Sequence, residues 1–539
     1  ADLATSLSLV NDIDTFTQEL RIASTGDNTF NWLLGGFYFN EDIESRTTLD
    51  YGADIRAYID FLAGGPDALN LIEAANGFAP GTAFFQEGQG TSEEFTQSNE
   101  AFSIFGQADF EITDGLTFTL GANYTDDSKD ITIRQTRNTD TFSAINLRGT
   151  EGIESIRLQS YLQGVAPIPG LLPNGLGSFF DTFGVAPTPQ NIQFVASGGA
   201  GAAAAAGFAQ YNGAISQIAA GAVANDATNP FAGLFGLQFQ PPLSDFDGSS
   251  ADDDITYTAR LAYEVSPTLN VFGAYSTGYK ASSFNLSRDS RPTTVQPGAN
   301  PNQGVGTRFA APEEAEVFEI GLKARFDWGA FNIVAFDQNV KNFQTNLFTG
   351  TGFALANAGK QSSRGFEFDS KFHASDDLTF TLAGTYLDSK YDEFVGATGP
   401  FNEVIDQSGQ EVGGIHPWSI VAGANYDHDF GNGMNGYLRA SYLYESKTDI
   451  YFDNERLAEL GFDITNSING LDDFVREVSS VDASAGLSFD NGLGIQLWGR
   501  NLFSNNDLTT VFPGVAQTGT VYGYPNEPRT YGVKLRKSF

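Results

Sequence analysis

Charged side chains recur at every second position along several stretches of this sequence. Arg260 and Glu264 share one parity with apolar residues between them; so do Glu319, Lys323 and Arg325, then Glu367, Asp369 and Lys371, then Lys534 and Arg536. On an extended chain, side chains two positions apart share a face. One wall would therefore gather Arg21, Arg260, Lys280, Lys323, Arg325, Arg439 and Arg500 with Glu19, Asp109 and Glu111. Such a wall serves either as a binding or translocation surface or as a set of charges that pair with one another. Pairing carries weight because an unpaired charge in a confined space is costly.

Other chemistry is thinner. Asp245, Asp247, Asp252, Asp253 and Asp254 cluster closely enough to suggest Ca²⁺, which favours several carboxylate oxygens in a flexible loop. Their spacing is not that of an EF-hand, so a loosely cation-attracting acidic rim is the alternative. His373, His416 and His428 are too scattered for a Ser/His/Asp arrangement, and no glycine-rich stretch sits between a strand and a phosphate-binding helix. No catalysis and no cofactor are expected. Without Cys, thiolate metal sites and disulfides are excluded.

The elements that carry the charges are strands. Leu116–Tyr124 places Leu116, Phe118, Leu120, Ala122 and Tyr124 on one face and Thr117, Thr119, Gly121 and Asn123 on the other. Ile255–Val265, Val317–Phe326 and Leu378–Tyr386 repeat the pattern. About fifteen such strands are predicted, near 13–24, 29–40, 99–112, 116–136, 253–266, 268–282, 314–326, 330–346, 361–374, 378–391, 418–429, 436–448, 476–489, 493–505 and 528–539. Many exceed the ~5–6 residues usual in soluble proteins, and each approaches the ~10 that cross a bilayer at a tilt. Short turns, such as Thr25–Asn28 and Thr113–Gly115, alternate with long connections. Sorting of loop lengths by end marks a transmembrane antiparallel β-barrel with short periplasmic turns and long extracellular loops. Counting back from a last strand that descends to the periplasm starts the first strand on the outside. An odd strand number is unusual for such a barrel, so either further strands are expected upstream of Ala1 or a strand within the chain escapes the count.

Two connections stand out. Residues 41–98 are predicted to form a long extracellular loop with a helix near Asp67–Ala75. Residues 137–252 form a second, far beyond the ~15 residues of ordinary loops. Between Leu158 and Ser244 its only charges are Asp181 and Asp226, and Ile215, Ile218 and Ala219 suggest a helix. This apolar loop either folds on itself or docks a surface lipoprotein or neighbouring barrel. The net charge of -37 argues against a nucleic-acid partner, and 13% aromatic residues argue for a folded chain.

Several segments resemble the TonB-dependent outer-membrane receptors. AFSIFGQADFEITDGLTFTLGANYTDDSKD (101–130) is similar to a hairpin of that family, and LNVFGAYSTGYKASSFN (269–285) to its strand ending in a Gly-Tyr-Lys rim. PEEAEVFEIGLKARF (312–326), NAGKQSSRGFEFD (357–369), GRNLF (499–503) and PRTYGVKLRKSF (528–539) resemble later strands, in the family's order. The resemblance implies a 22-stranded barrel with a plug in its lumen, this chain beginning near the eighth strand. It implies import of a ferric siderophore, cobalamin or oligosaccharide, driven by TonB through a plug that this chain does not contain. It also implies lipid and lipopolysaccharide around the barrel. Phe539, with Leu535, Val533 and Tyr531 alternating before it, resembles the signal read by the barrel-assembly machinery, although Lys537 stands where an apolar residue is common. Lys280 would sit at the outer rim, where a ligand arrives. His416, in His-Pro-Trp, replaces the Ala of a usual rim turn and reads as structural. A structural barrel in a surface assembly, or a passive pore, is the alternative function.

Overall fold

The structure is a computed structural model that describes residues 2–26, 28–63, 65–167, 174–224, 228–231, 234, 245–286, 309–348, 353–398, 404–450, 475–513 and 521–538. One antiparallel sheet of fifteen strands dominates it, each strand paired with its neighbours in chain order. The strands are β1 (Ala4–Ala23), β2 (Phe30–Tyr51), β3 (Gly90–Thr113), β4 (Leu116–Asn138) and β5 (Phe246–Ser266). Next come β6 (Leu269–Lys280), β7 (Glu313–Phe326), β8 (Gly329–Lys341), β9 (Lys360–His373) and β10 (Leu378–Glu393). The last are β11 (Trp418–Asp429), β12 (Met434–Asp449), β13 (Val475–Phe489), β14 (Leu493–Arg500) and β15 (Thr530–Lys537). β1 and β15 form the two ends of the sheet.

Alternation does what the sequence predicts. Leu20, Leu34, Ile104, Leu120, Ile255, Ile320, Leu438 and Leu497 are exposed apolar side chains on one face. In water such a surface would drive aggregation; against lipid it is the stable face. At the short-turn end Phe326, Trp328 and Phe372 stack, with ring centroids 4.9 and 5.6 Å apart. Aromatic rings of this kind belong at a membrane interface. Among the described residues, no helix is long and apolar enough to cross a membrane.

The first strands overrun their predicted ends. β2 continues through residues 41–51, β3 begins at Gly90, and β5 begins at Phe246, all inside stretches expected to be loops. The apolar alternation fades there because both faces of the ladder are free to be polar once it leaves the bilayer. Pairing persists because neighbouring strands still satisfy every backbone group, as Glu44↔Asp12 and Glu44↔Thr96 show on the two sides of β2.

The connections at 52–89 and 139–245 carry helices α1 (Ile55–Leu62), α2 (Ala68–Ala75), α3 (Thr150–Gln163), α4 (Phe179–Phe183), α5 (Pro189–Ala196) and α6 (Ala202–Val223). The predicted helix near Asp67–Ala75 is α2. Asn191–Val195 is helical in α5, with Thr188 capping Asn191 N–H and Pro189 opening the helix. The two connections share a core: Ile59, Leu69, Ile72, Phe84 and Phe85 of the first pack with Phe142, Leu147, Ile156, Ala219 and Val223 of the second. A second core joins Tyr161, Phe179, Val195, Tyr211 and Ile215. The buried face of α6 is Tyr211, Ile215, Ala219 and Val223, a four-residue repeat. The long apolar loop thus folds with its neighbour into a helical cap.

Inside the cap, Glu73 is fully buried and meets Arg56 at 2.7 Å. Ala83 N–H and Phe84 N–H donate to the same carboxylate at 2.9 and 2.8 Å. Burial alone would raise the Glu73 pKa, but Arg56 and the backbone donors prevail and hold it below its ordinary value. Asp140 is the opposite case. Burial pushes its pKa up despite hydrogen bonds from Ser143 Oγ, Tyr51 Oη and Phe142 N–H.

Candidate functional site

The register turns the predicted wall into a defined surface on the inward face. Arg21 stands opposite Gly35, which stands opposite Phe105. A Cβ on Gly35 would come within 2.4 Å of the Phe105 ring, so the ring lies flat across the glycine. The Arg21 guanidinium sits 5.8 Å from that ring's centroid. The unit recurs. Phe272 faces Gly321 across β6 and β7, where an added Cβ would again be 2.4 Å from the ring. Arg260 lies 4.7 Å from the Phe272 centroid and Lys323 Nζ 5.8 Å. Tyr437 covers Gly486 with Arg439 at 5.0 Å, and Trp498 covers Gly532 with Arg500 at 5.9 Å. Each glycine lets a ring collapse onto the wall, and each ring offers its electron-rich face to a cation.

Ion pairing is uneven along this wall. Arg21 pairs with Glu19, and Arg439 with Asp427. Among the described residues, no carboxylate lies within ion-pair distance of Arg260, Lys280, Lys323 or Arg325. Self-paired charge therefore occurs at some positions and, among the described residues, cationic charge without an ion pair at others. Arg439, Asp482, Arg500 and Lys534 also line a wall concavity of about 590 Å³. Lys280 ends β6 opposite Glu313, whose carboxylate instead accepts Gln344 N–H at 2.8 Å.

The five aspartates are not brought together. Asp245 accepts Gln135 N–H at 2.8 Å, Asp247 pairs with Arg134, and Asp252 accepts from Ser282. Asp253 and Asp254 alternate to opposite faces of β5, the one exposed and the other half-buried. Among the described residues, no group of three carboxylate or imidazole side chains is arranged to hold a metal ion. His373 and His428 lie at the short-turn end, bonded to Thr379 at 3.0 Å and Asp377 at 2.6 Å. His416 is half-buried in the rim turn, with Nδ1 2.5 Å from Ser446 O and Nε2 3.3 Å from Glu445.

Tyr531, Val533 and Leu535 project from the apolar face of β15, at 79%, 64% and 70% exposure; Phe539 lies outside the described residues. Sequence reasoning missed Phe105, Phe272, Tyr437 and Trp498. A ring on the polar parity of a strand was visible, but its glycine partner could be known only from the cross-strand register. It also missed Asn501, where GRNLF breaks the last hairpin. Asn501 is buried at φ 47°, donates to Asn505 O and Glu527 O at 2.8 and 3.1 Å, and accepts Asn505 N–H at 2.9 Å.

An antiparallel meander with an apolar outer face, an aromatic interface band and a charged inner face is the wall of a transmembrane β-barrel. The model of the TonB dependent receptor-like β-barrel family matches residues 3–502, and the chain belongs to that family, whose barrels lie in the outer membrane of Gram-negative bacteria. Solved structures share the fold. The ferric yersiniabactin uptake receptor FyuA of Yersinia pestis is similar at TM-score 0.57 and 13% identity, over 99% of this chain and 55% of that one. The siderophore receptor PiuA of Acinetobacter baumannii gives 0.53 and 13%, over 98% and 56%. The ferric-catecholate import receptor Fiu of E. coli K12, in its closed form, gives 0.51 and 11%, over 99% and 55%. The chain therefore spans a little over half the length of these receptors, and at such identities the likeness is one of fold. No curated protein sequence matches the chain.

Proposed function

We propose that this barrel serves TonB-dependent import of an anionic ferric chelate across the outer membrane. Of the ferric siderophore, cobalamin and oligosaccharide classes, the first fits the wall best. The observation that carries the reading is the pair Arg260 and Lys323 on Phe272, which among the described residues have no carboxylate within ion-pair distance, in a chain of net charge -37. A confined cationic surface attracts an anion however acidic the distant exterior is. The long-connection end faces outward in this reading, Lys280 meets the ligand at the rim, and TonB acts through a plug in the lumen. Uphill transport by a barrel without a hydrolysable cofactor needs that outside work.

In cells displaying the protein, uptake of radiolabelled iron from anionic siderophores should require TonB. The double variant Arg260→Ala/Lys323→Ala should lower it at least tenfold, since two cations acting through a wet lumen each contribute about 1 kcal/mol. Uptake indifferent to TonB, or to the double variant at equal surface amount, refutes the reading.

A scaffold reading draws on Phe61, Phe180 and Phe194, exposed at 74%, 59% and 51% on the cap. It expects a surface lipoprotein or neighbouring barrel to copurify with the protein, and Phe61→Ser/Phe180→Ser to release it.

A further inference from the structure

The lipid-facing side of the last strands is recessed. The register sets Ala424, Ala440, Ala483 and Gly499 side by side on β11, β12, β13 and β14, a row of small residues crossing four strands. At ~4.8 Å per strand the row runs roughly 14 Å. Phe380 pairs with its first member and Tyr531 with its last, so an exposed ring closes each end. The next row toward the short turns carries Leu438 and Leu497 with Ala485 between them. Two joined concavities result on the outward face. The upper, about 530 Å³, lies over the row of small residues. The lower, about 340 Å³, passes Ala485 and reaches Gly436 and Phe430 at the short-turn end. Leu438, Ala485 and Leu497 line both.

The surroundings say what fills this groove. The face lies against lipid, and a void there would forfeit the dispersion contacts of its lining. Small residues let an apolar neighbour approach the backbone closely, and such packing is what drives association inside a bilayer. An apolar groove that opens at the membrane interface takes an acyl chain. Its polar end is specified as well. His428 stacks on Tyr426 at 5.9 Å and meets Phe430 edge-on at 4.8 Å, and Asp377 Oδ2 lies 2.6 Å from His428 Nδ1. Asp429 accepts Gly431 N–H at 2.8 Å, and Asp490 N–H donates to Gly433 O at 2.9 Å. Three carboxylates thus border the short-turn end of the groove, while Asp427 turns to Arg439. Lys537, whose Nζ donates to Asn491 O, stands on the same rim. A headgroup with an ammonium beyond its phosphate matches this order of charge, phosphate toward Lys537 and ammonium toward the carboxylates. A purely anionic headgroup meets a rim that is net acidic and repels it. The short turns of outer-membrane barrels are periplasmic, so the lipid belongs to that leaflet.

We propose that this groove holds one glycerophospholipid with an ethanolamine headgroup, an acyl chain lying along Ala440, Ala483 and Ala485. The proposal rests on the lipid-facing wall and not on the import reading. The full chain in mild detergent is exchanged against equal amounts of phosphatidylethanolamine and phosphatidylglycerol with the same acyl chains, and native mass spectrometry counts the lipid retained. One phosphatidylethanolamine per chain should survive, at least threefold over phosphatidylglycerol. Ala440→Phe/Ala483→Phe fills the groove and should lower retention at least tenfold, with heat-resistant migration reporting that the barrel is intact. Asp377→Asn/Asp490→Asn leaves the groove open; it should keep the lipid and erase the preference between headgroups. Absence of retained lipid, or retention indifferent to the filled groove, overturns the proposal. So does a preference for phosphatidylglycerol, or one that survives loss of the two carboxylates. A mass of two chains that the filled groove abolishes gives the face to a second copy and overturns it as well.

Discussion

Replacing Glu73 by Ala should open the helical cap while leaving the barrel intact. Glu73 ties α2 to α1 through Arg56, whose side chain is 16% exposed, and to the 81–84 turn through backbone donors. The substitution strands a mostly buried guanidinium, with Asp60 at 3.2 Å as its remaining carboxylate, and orphans the N–H groups of Ala83 and Phe84. Breaking a buried pair in this way costs about 3–5 kcal/mol. At roughly 1.4 kcal/mol per decade, the open cap becomes about a hundred- to several-thousandfold more populated. Limited proteolysis within 52–89 and 139–245 reads that population, and migration of the unheated protein on a denaturing gel reports the barrel. The pH dependence follows from the depressed Glu73 pKa. Its stabilisation is present above the ordinary Glu range and is lost as pH falls through the lower folded value. Native protein should therefore become cleavable in the cap in strong acid, whereas the variant is cleavable throughout. Equal protease resistance of the two at pH 7 would show that the Arg56–Glu73 pair does not hold the cap together.

Gly321→Ala should force the Phe272 ring off the wall and destabilise the barrel by about 1–3 kcal/mol, read as a lower unfolding midpoint in detergent. Phe272→Ala added to it should cost less than the sum of the two single changes; strict additivity would mean that ring and glycine are uncoupled. Asp140, with its pKa raised by burial, withdraws stability as pH climbs from the ordinary Asp value through the raised one. Asp140→Asn should therefore flatten that part of the cap's proteolysis–pH curve, and an unchanged slope would place the titration elsewhere. Asn501→Ala should cost about 1–3 kcal/mol by leaving the Glu527 carbonyl and the Asn505 N–H without their partner, and hydrogen exchange at 501–507 should rise with no change in the β1–β10 strands.

The strands were legible because lipid imposes a strict rule on one parity: Leu116, Phe118 and Leu120 must all face out. The same logic lost its grip at residue 41. Beyond the bilayer, Glu44 and Arg46 are as acceptable outside as in, so the ladder continued without leaving an apolar trace. The cap hid its structure for another reason. Its core joins Ile59 and Phe84 to Phe142 and Val223, residues too distant in the chain for any local window to connect, and α3 has almost no apolar stripe of its own.

The inner wall shows where one-dimensional reading ends. Alternation placed Arg260 and Lys323 on one face, and the structure keeps them there. Alternation could not say that Phe272 lies between them on a glycine of the next strand. That matters chemically, because a cation flattened on a ring keeps most of its charge while giving up much of its rotational freedom. It presents a fixed attractive surface instead of a mobile side chain that a neighbouring carboxylate could capture. Arg439 tests the distinction within this molecule, since it has both a ring and a carboxylate, Tyr437 and Asp427. If free charge on the wall is what draws an anion inward, Asp427→Asn should raise anion capture by uncovering Arg439, whereas Arg260→Ala should lower it. Matching losses in the two variants would mean that the wall acts through its packing and not through its charge.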